Sequence, residues 1–430
     1  MSRPLLLRGG RVIDPRNGVD GVRDVRLENG KVAAISERPL SADGADEIQA
    51  QGLWVTPGFI DLHVHLREPG EEAKETILSG TRAAVAGGFT SVAAMPNTRP
   101  VNDSALVTRL VRQRAAEADL ARVYPVGAIS KGLLGEEMAE IGALREAGCV
   151  AVTDDGRPVM NASLMRRVLV YSAPLGLPVM VHEEDLALSA GGALTEGPRG
   201  TRLGLLPVPR SAEVVMLARD LVLLEEVGGR LHVAHVSCAA SVALLREAKR
   251  RGLPVTAEAA PHHFTLTDEA VEGWNTHAKM NPPLRHAEDV AAVRQGLADG
   301  TLDAIATDHA PHGILDKQVP FAEAANGVVG LETALPLTLE LVRAGVLPAA
   351  RAIELLTAGP AAAFGLPGGH LAPGAPADVA LVDPGAEWTV ESARFQSKSR
   401  NTPFEGRRVA GRVVRTVVGG RTVWPLEERG

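Results

Sequence analysis

Two histidines spaced two apart, His63-Val64-His65, close an apolar run. Imidazoles and carboxylates recur at the ends of later runs, as Asp154-Asp155, His182-Glu183, His235 and Asp308-His309. In an extended strand residues i and i+2 share a face, roughly 6.6 Å apart along it, so both rings of the pair can reach one ion. Four histidines with carboxylates provide donors for one or two divalent cations. That donor mixture suits zinc, and a catalytic site keeps one position open for water. His-x-His alone is a weak signal. Its recurrence with His182, His235 and Asp308 at three further run ends makes a strong one, because buried histidines without partners carry a desolvation cost that a stable core rarely bears. Parity along Leu231–His235 makes His235 the donor and assigns His232 to the core or to a place behind a ligand. One of His262 and His263 is a candidate for the same supporting position, whereas His277, His286 and His370 read as surface residues. Arg67, two residues beyond the His-x-His pair, faces the same mouth.

Such residues converge only if their runs are strands pointing one way. Eight candidates fit: Gly58–His65, Thr90–Met95, Arg122–Ala128, Val150–Thr153, Pro178–His182, Leu231–His235, Val255–Glu258 and Ala304–Asp308. Helical patterns such as Glu72–Ala86, Ala139–Ala147, Ser211–Val227 and Ala239–Arg250 lie between most of them. Near-continuous apolar strands alternating with helices indicate a parallel sheet covered on both faces. Eight units point to a (β/α)8 TIM-type barrel, whose chemistry sits at the C-terminal strand ends. Both chain ends look all-β. Leu5–Leu7, Arg11–Ile13, Val22–Leu27 and Val32–Ile35 are separated by Gly9-Gly10, Asn17-Gly18 and Asn29-Gly30; Asp378–Val382, Arg412–Val418 and Arg421–Trp424 follow the middle, with Gly419-Gly420 as a hairpin turn. The expected fold class is therefore α/β: a barrel over 56–365 and a small β-sandwich domain assembled from 1–55 and 366–430.

The net charge of −7 and an aromatic content of 3% argue against nucleic acid as a partner, lacking both a basic excess and a stacking platform. The same balance is poorly suited to an anionic membrane surface, and no run approaches the roughly 18 apolar residues of a span. Cys149 and Cys238 sit in apolar runs and read as buried small side chains rather than as a disulfide framework. The apolar core after Met1-Ser2-Arg3-Pro4 is too short for a signal peptide, so a cytoplasmic protein is expected.

The runs Asp61-Leu62-His63-Val64-His65-Leu66-Arg67-Glu68-Pro69-Gly70, Gly87-Gly88-Phe89-Thr90, Met95-Pro96-Asn97-Thr98, Lys279-Met280-Asn281-Pro282-Pro283-Leu284-Arg285 and Asp308-His309-Ala310-Pro311-His312 resemble class I dihydroorotases of the amidohydrolase superfamily. The resemblance spans nearly the whole chain. It implies two zinc ions per chain, one held by His63, His65 and Asp308 and the other by His182 and His235, bridged by Asp155 and a water or hydroxide. Many relatives bridge with a carboxylated lysine, but no lysine lies between Lys131 and Lys249. Lys131 is a remote alternative, and Asp154 is the nearer rival to Asp155. The resemblance also implies that Arg67, Asn97 and His312 hold a substrate carboxylate and that Asn281 bonds the ring. Asn326 and Gly327 would complete the pocket by backbone contacts, although Ala325-Asn326-Gly327 stands where Pro-Phe-Gly is frequent in the family.

The implied reaction is reversible conversion of N-carbamoyl-L-aspartate to L-dihydroorotate in pyrimidine biosynthesis. Asp308 would relay the proton, and a homodimer is expected. Two rivals stay open: a related cyclic amidase such as a hydantoinase or dihydropyrimidinase, and a non-catalytic scaffold for aspartate transcarbamoylase. An active chain could also associate with that enzyme.

Overall fold

The computed structural model describes residues 3–426; Met1, Ser2 and residues 427–430, the outer margins of the expected β domain, lie outside it. The chain opens with β1 (Leu5–Asp14), β2 (Val19–Glu28), β3 (Lys31–Ser36), β4 (Asp46–Gln49) and β5 (Trp54–Pro57). The middle contributes β6 (Phe59–Val64), β7 (Phe89–Ala94), β8 (Arg122–Pro125), β9 (Val152–Thr153), β10 (Val179–Val181), β11 (Leu194–Thr195), β12 (Pro207–Val208), β13 (Leu231–Val233), β14 (Val255–Ala259) and β15 (Ala304–Ile305). The end adds β16 (Val379–Thr389), β17 (Arg408–Val418) and β18 (Arg421–Trp424).

Strands from both ends join one sheet, ordered β18-β17-β16-β5-β1-β2-β3, with β4 on β1. β5 makes the join, running parallel to β1 and antiparallel to β16. The Asn29-Gly30 and Gly419-Gly420 turns both have positive φ at their two residues, which suits tight hairpins. Gly9-Gly10 is not a turn. Leu5–Leu7 and Arg11–Ile13 are one strand, and the pair forms a bulge where the register to β2 shifts.

All eight expected middle strands are present, in two parallel sheets: β6-β7-β8 and β9-β10-β13-β14-β15. Single parallel bridges, Gly127 to Val152 and Val64 to His309, link the edges of the two sheets. Side chains from β6, β7, β10 and β15, including Ile60, Leu62, Ala93, Met180 and Ala304, pack in one apolar cluster with Phe364. The helices Ser211–Val227 and Ala239–Arg250 span their expected ranges; the first helix begins at Ile77 rather than Glu72, because Thr76 and Ser79 form a capping box there.

Most of the strands end earlier than their apolar runs do, so His65, His182, His235 and Asp308 lie just past the ordered ladder. Arg67, His235 and Asp308 have φ of 60°, 31° and 48°. Non-glycine residues seldom occupy this left-handed region, and such strain gathers at functional sites. His277, His286 and His370 are half-buried rather than surface residues: His286, for example, is held by Asp268 at 3.3 Å and the Glu196 carbonyl at 2.9 Å. Both cysteines are buried and free. Among the described residues no helix is long and apolar enough to cross a membrane.

Candidate active site

The residues singled out above meet at one end of the parallel strands. Asp155 is the hub. Its carboxylate lies 3.3 Å from His63 Nε2, 3.5 Å from His65 Nε2, 3.5 Å from His182 Nδ1 and 3.9 Å from His235 Nε2. Asp308 Oδ1 lies 3.1 Å from His65 Nε2 and 3.5 Å from His63 Nε2. Asp154 turns the other way, accepting bonds from the Ile129 and Ser130 amides at 2.8 and 2.9 Å. Lys131 is directed to Glu137, outside the cluster.

Partners behind the histidines fix which nitrogen faces inward. His63 Nδ1 is 3.1 Å from Glu258, whose other oxygen is 3.0 Å from His232 Nε2. His65 Nδ1 is 2.9 Å from Asn97 Oδ1, and His182 Nε2 is 3.1 Å from Glu184 Oε2. An outer N–H donating to each oxygen leaves the inner nitrogen as a lone pair, the arrangement metal-binding histidines adopt. Asp61 ties β6 to the last strand end, accepting from the His63 amide at 3.0 Å and from Thr307 Oγ1 at 2.6 Å.

The donor set fits divalent metal. His63, His65 and Asp155 form one group whose ligand atoms lie within 4.8 Å of one another, and Asp155, His182 and His235 form another. His63 Nε2, His182 Nδ1 and both His235 ring nitrogens are buried without a hydrogen-bond partner. A cation at the centre would satisfy those lone pairs and offset the carboxylates. The charge balance agrees. Burial opposes charge on His182, yet Asp155 and Glu184 push its pKa up to about 10. Asp155 and Asp308 likewise push His63 well up against its burial.

Beside this cluster lies a cavity of about 180 Å³, lined by every expected site residue except His63, which is buried beneath it. Arg67 is only 8% exposed. Its Nε donates to the Pro311 carbonyl at 3.1 Å, and it forms no ion pair among the described residues. His312 Nε2 lies 2.7 Å from the Asn326 carbonyl; burial, then the Arg67 cation, keep His312 neutral. Asn281 Nδ2 donates to Glu184 at 2.9 Å. Gly327 has φ +121°, and a Cβ there would come 2.5 Å from Ala310 Cβ, so the backbone approach requires glycine.

Four contributors went unrecognised in the sequence. Glu258 and Glu184 support histidines. Asn401, from the segment before β17, accepts from the His312 amide at 3.0 Å and donates to the Ala310 and Gly327 carbonyls at 2.9 and 3.1 Å. Lys317 bonds to nearby loops. Two of them left a trace: Glu258 closes the run Val255–Glu258, and Glu184 stands two residues after His182, where strand parity would put it on the same face. Of His262 and His263, neither touches the cluster through a hydrogen bond, and His263 donates to the Pro282 carbonyl at 2.9 Å.

A TIM-barrel-type α/β fold carrying a histidine–aspartate cluster at the strand ends defines an amidohydrolase, and the Amidohydrolase family model matches residues 275–424. The L-hydantoinase (dihydropyrimidinase) of Arthrobacter aurescens superposes with a TM-score of 0.88 at 27% identity, over 98% of this chain and 96% of that one. The Dihydro-orotase-like family model matches residues 52–241. Dihydroorotase of Anaeromyxobacter sp. (strain K) is 63% identical over 425 residues, 98% of each chain, and that of Syntrophotalea carbinolica is 54% identical over 424 residues, 99% of this chain and all of the other. The chain belongs to the dihydroorotase family.

Proposed function

We propose that this chain interconverts N-carbamoyl-L-aspartate and L-dihydroorotate, as a step of pyrimidine biosynthesis. The observation that carries the reading is Arg67: a buried guanidinium without an ion-pair partner among the described residues, opening on the same cavity as the histidine–aspartate cluster. A buried cation of this kind is costly unless a ligand anion completes it. Its planar fork matches a carboxylate. A cyclic amidase for rings without a carboxylate has no use for it, which separates this chain from the hydantoinases whose fold it shares. Asp155, rather than a lysine, at the hub supports the same separation. The intact cluster speaks against a purely scaffolding role.

In this reading His63, His65 and Asp308 would hold one zinc ion and His182 and His235 a second, with Asp155 common to both groups. Bound zinc supplies Lewis acidity and makes an attacking water acidic at neutral pH. Arg67, Asn97 and His312 grip the substrate carboxylate, Asn281 bonds the ring, and the backbone at Asn326 and Gly327 forms the opposite wall. These contacts set the ring amide carbonyl against the attacking water. Asp308 takes the proton from the water and passes it to the leaving ring nitrogen. In cyclisation the transfers reverse: Asp308 takes the proton from the attacking nitrogen and returns it to the departing water.

The two single bridges support closure of the eight parallel strands into one barrel over about 56–365. A cluster that includes Leu7, Val25, Val55, Val379 and Val417 supports the sheet of both termini folding over its own core as a sandwich. The barrel and terminal sheet would then be the two domains, with β5 at the boundary. A cytoplasmic homodimer, with or without aspartate transcarbamoylase, completes the proposal. The functional test compares dihydroorotate, hydantoin and dihydrouracil on the metal-loaded protein. Preference for dihydroorotate is expected; a preference for either ring without the carboxylate would reject the assignment.

A further inference from the structure

Lys317 follows His312 by five residues and is 4% exposed. It forms no ion pair among the described residues. Instead its Nζ donates to three backbone carbonyls: Ala325 at 2.6 Å, Thr276 at 3.1 Å and Lys279 at 3.5 Å. The bonding is reciprocal, because Thr276 Oγ1 donates to the Lys317 carbonyl at 2.7 Å. The Gly327 amide donates to the Lys279 carbonyl at 2.9 Å and the Ala325 amide to Asp316 at 3.1 Å. One side chain therefore gathers three segments. The first leads to Asn281, the second carries His312, and the third carries Asn326 and Gly327.

We propose that Lys317 is a positioning residue that holds the loop carrying His312, a member of the carboxylate grip, in register with the facing wall of the cavity and thereby sets the preference for a ring bearing a carboxylate. A lysine kept only for stability is a poor choice here, since an apolar side chain would fill the space without desolvating an ammonium. What lysine adds is three donors radiating from one atom, and all three are spent on loops that end at the cavity. Burial pushes the Lys317 pKa down to about 7, Lys279 adds to the shift and Asp316 opposes it. The neutral amine still donates two bonds, so the tie survives loss of the proton.

The inference rests on the dihydroorotase reading, and its test separates the two. Lys317→Met and Lys317→Gln are made in the full chain, with melting temperature and metal content checked. Steady-state constants are measured with dihydroorotate and with dihydrouracil, which lacks the carboxylate; where dihydrouracil turnover is too slow, its inhibition constant replaces it. Lys317→Met should raise KM for dihydroorotate about tenfold with kcat changed less than about threefold, change the dihydrouracil constants less than about threefold through the segment that leads to Asn281, and so shrink the ratio between the substrates by at least about threefold. Lys317→Gln, which keeps two donors, should fall between Met and wild type. Equal losses on both substrates, unchanged constants, or failure of both variants to fold would overturn the assignment. A wild-type protein inert toward dihydroorotate would overturn the functional reading itself.

Discussion

Arg67 offers the sharpest perturbation, because its surroundings set the size of the effect. Its Nε is committed to the Pro311 carbonyl at 3.1 Å, which aims the rest of the fork at the cavity. A guanidinium has five N–H donors, so enough remain for a bidentate grip on a carboxylate. Truncating one member of a buried, hydrogen-bonded charge pair costs about 2–5 kcal/mol, so Arg67→Ala should lower kcat/KM for dihydroorotate roughly 30- to 5,000-fold. Arg67→Lys keeps the charge and the same left-handed backbone but loses the fork. At about 1.5–3 kcal/mol for a bond to a charged group, its loss should be roughly 10- to 150-fold. The assay is steady-state turnover of dihydroorotate beside dihydrouracil. The dihydrouracil constants should barely move, since that ring has nothing for Arg67 to hold. Equal losses on both rings, or Arg67→Ala with unchanged dihydroorotate kinetics, would refute the carboxylate grip.

Three further outcomes are expected. Asp308→Asn should retain the fold and lose turnover by about 10²- to 10⁴-fold, the usual worth of a positioned proton carrier; near-normal turnover would remove Asp308 from that role. Glu258→Gln should weaken metal binding about 10- to 100-fold in a chelator competition, because it loosens the partner that orients His63. Glu332 gives a pH effect away from the metal cluster. Burial pushes its pKa from 4.5 up to about 8, against the pull of the Ser397 and Gln396 amides. A carboxyl whose pKa is raised on folding stabilises the protein below its unfolded value and loses that contribution as pH rises through the folded one. Thermal melting of Glu332→Gln should therefore match wild type near pH 4.5 and exceed it increasingly toward pH 8; a constant offset across that range would contradict the assignment.

The strand ends were legible because chemistry and periodicity coincided there: an apolar run stopped at a polar residue, and it did so on strand after strand. Parity along Leu231–His235 placed His235 and His232 apart, and they do part, His235 at the cluster and His232 behind it on Glu258, although β13 ends at Val233 and His235 lies beyond it with φ 31°. Parity along Thr153-Asp154-Asp155 was a weaker guide. β9 ends at Thr153, so loop conformation rather than pleat turns Asp155 inward and Asp154 away. The supporting groups were not legible for a related reason. Asn401 meets His312 across 89 residues, and Lys317 acts through backbone carbonyls that no residue type announces. Glycine pairs have no single meaning either: Gly419-Gly420 makes a turn because the segments on either side of it pair with each other, whereas Gly9-Gly10 makes a bulge because the segments on either side of it both pair with β2.

The claim on which all of this depends is that the histidine–aspartate cluster is a working metal centre for this ring. The most direct measurement is zinc content per chain with dihydroorotate turnover, before chelation, after it, and after zinc is restored. About two zinc ions per chain are expected, with turnover lost and regained in step with them. A metal-free protein that turns over dihydroorotate at full rate, or one that takes up zinc and stays inert, would contradict the account.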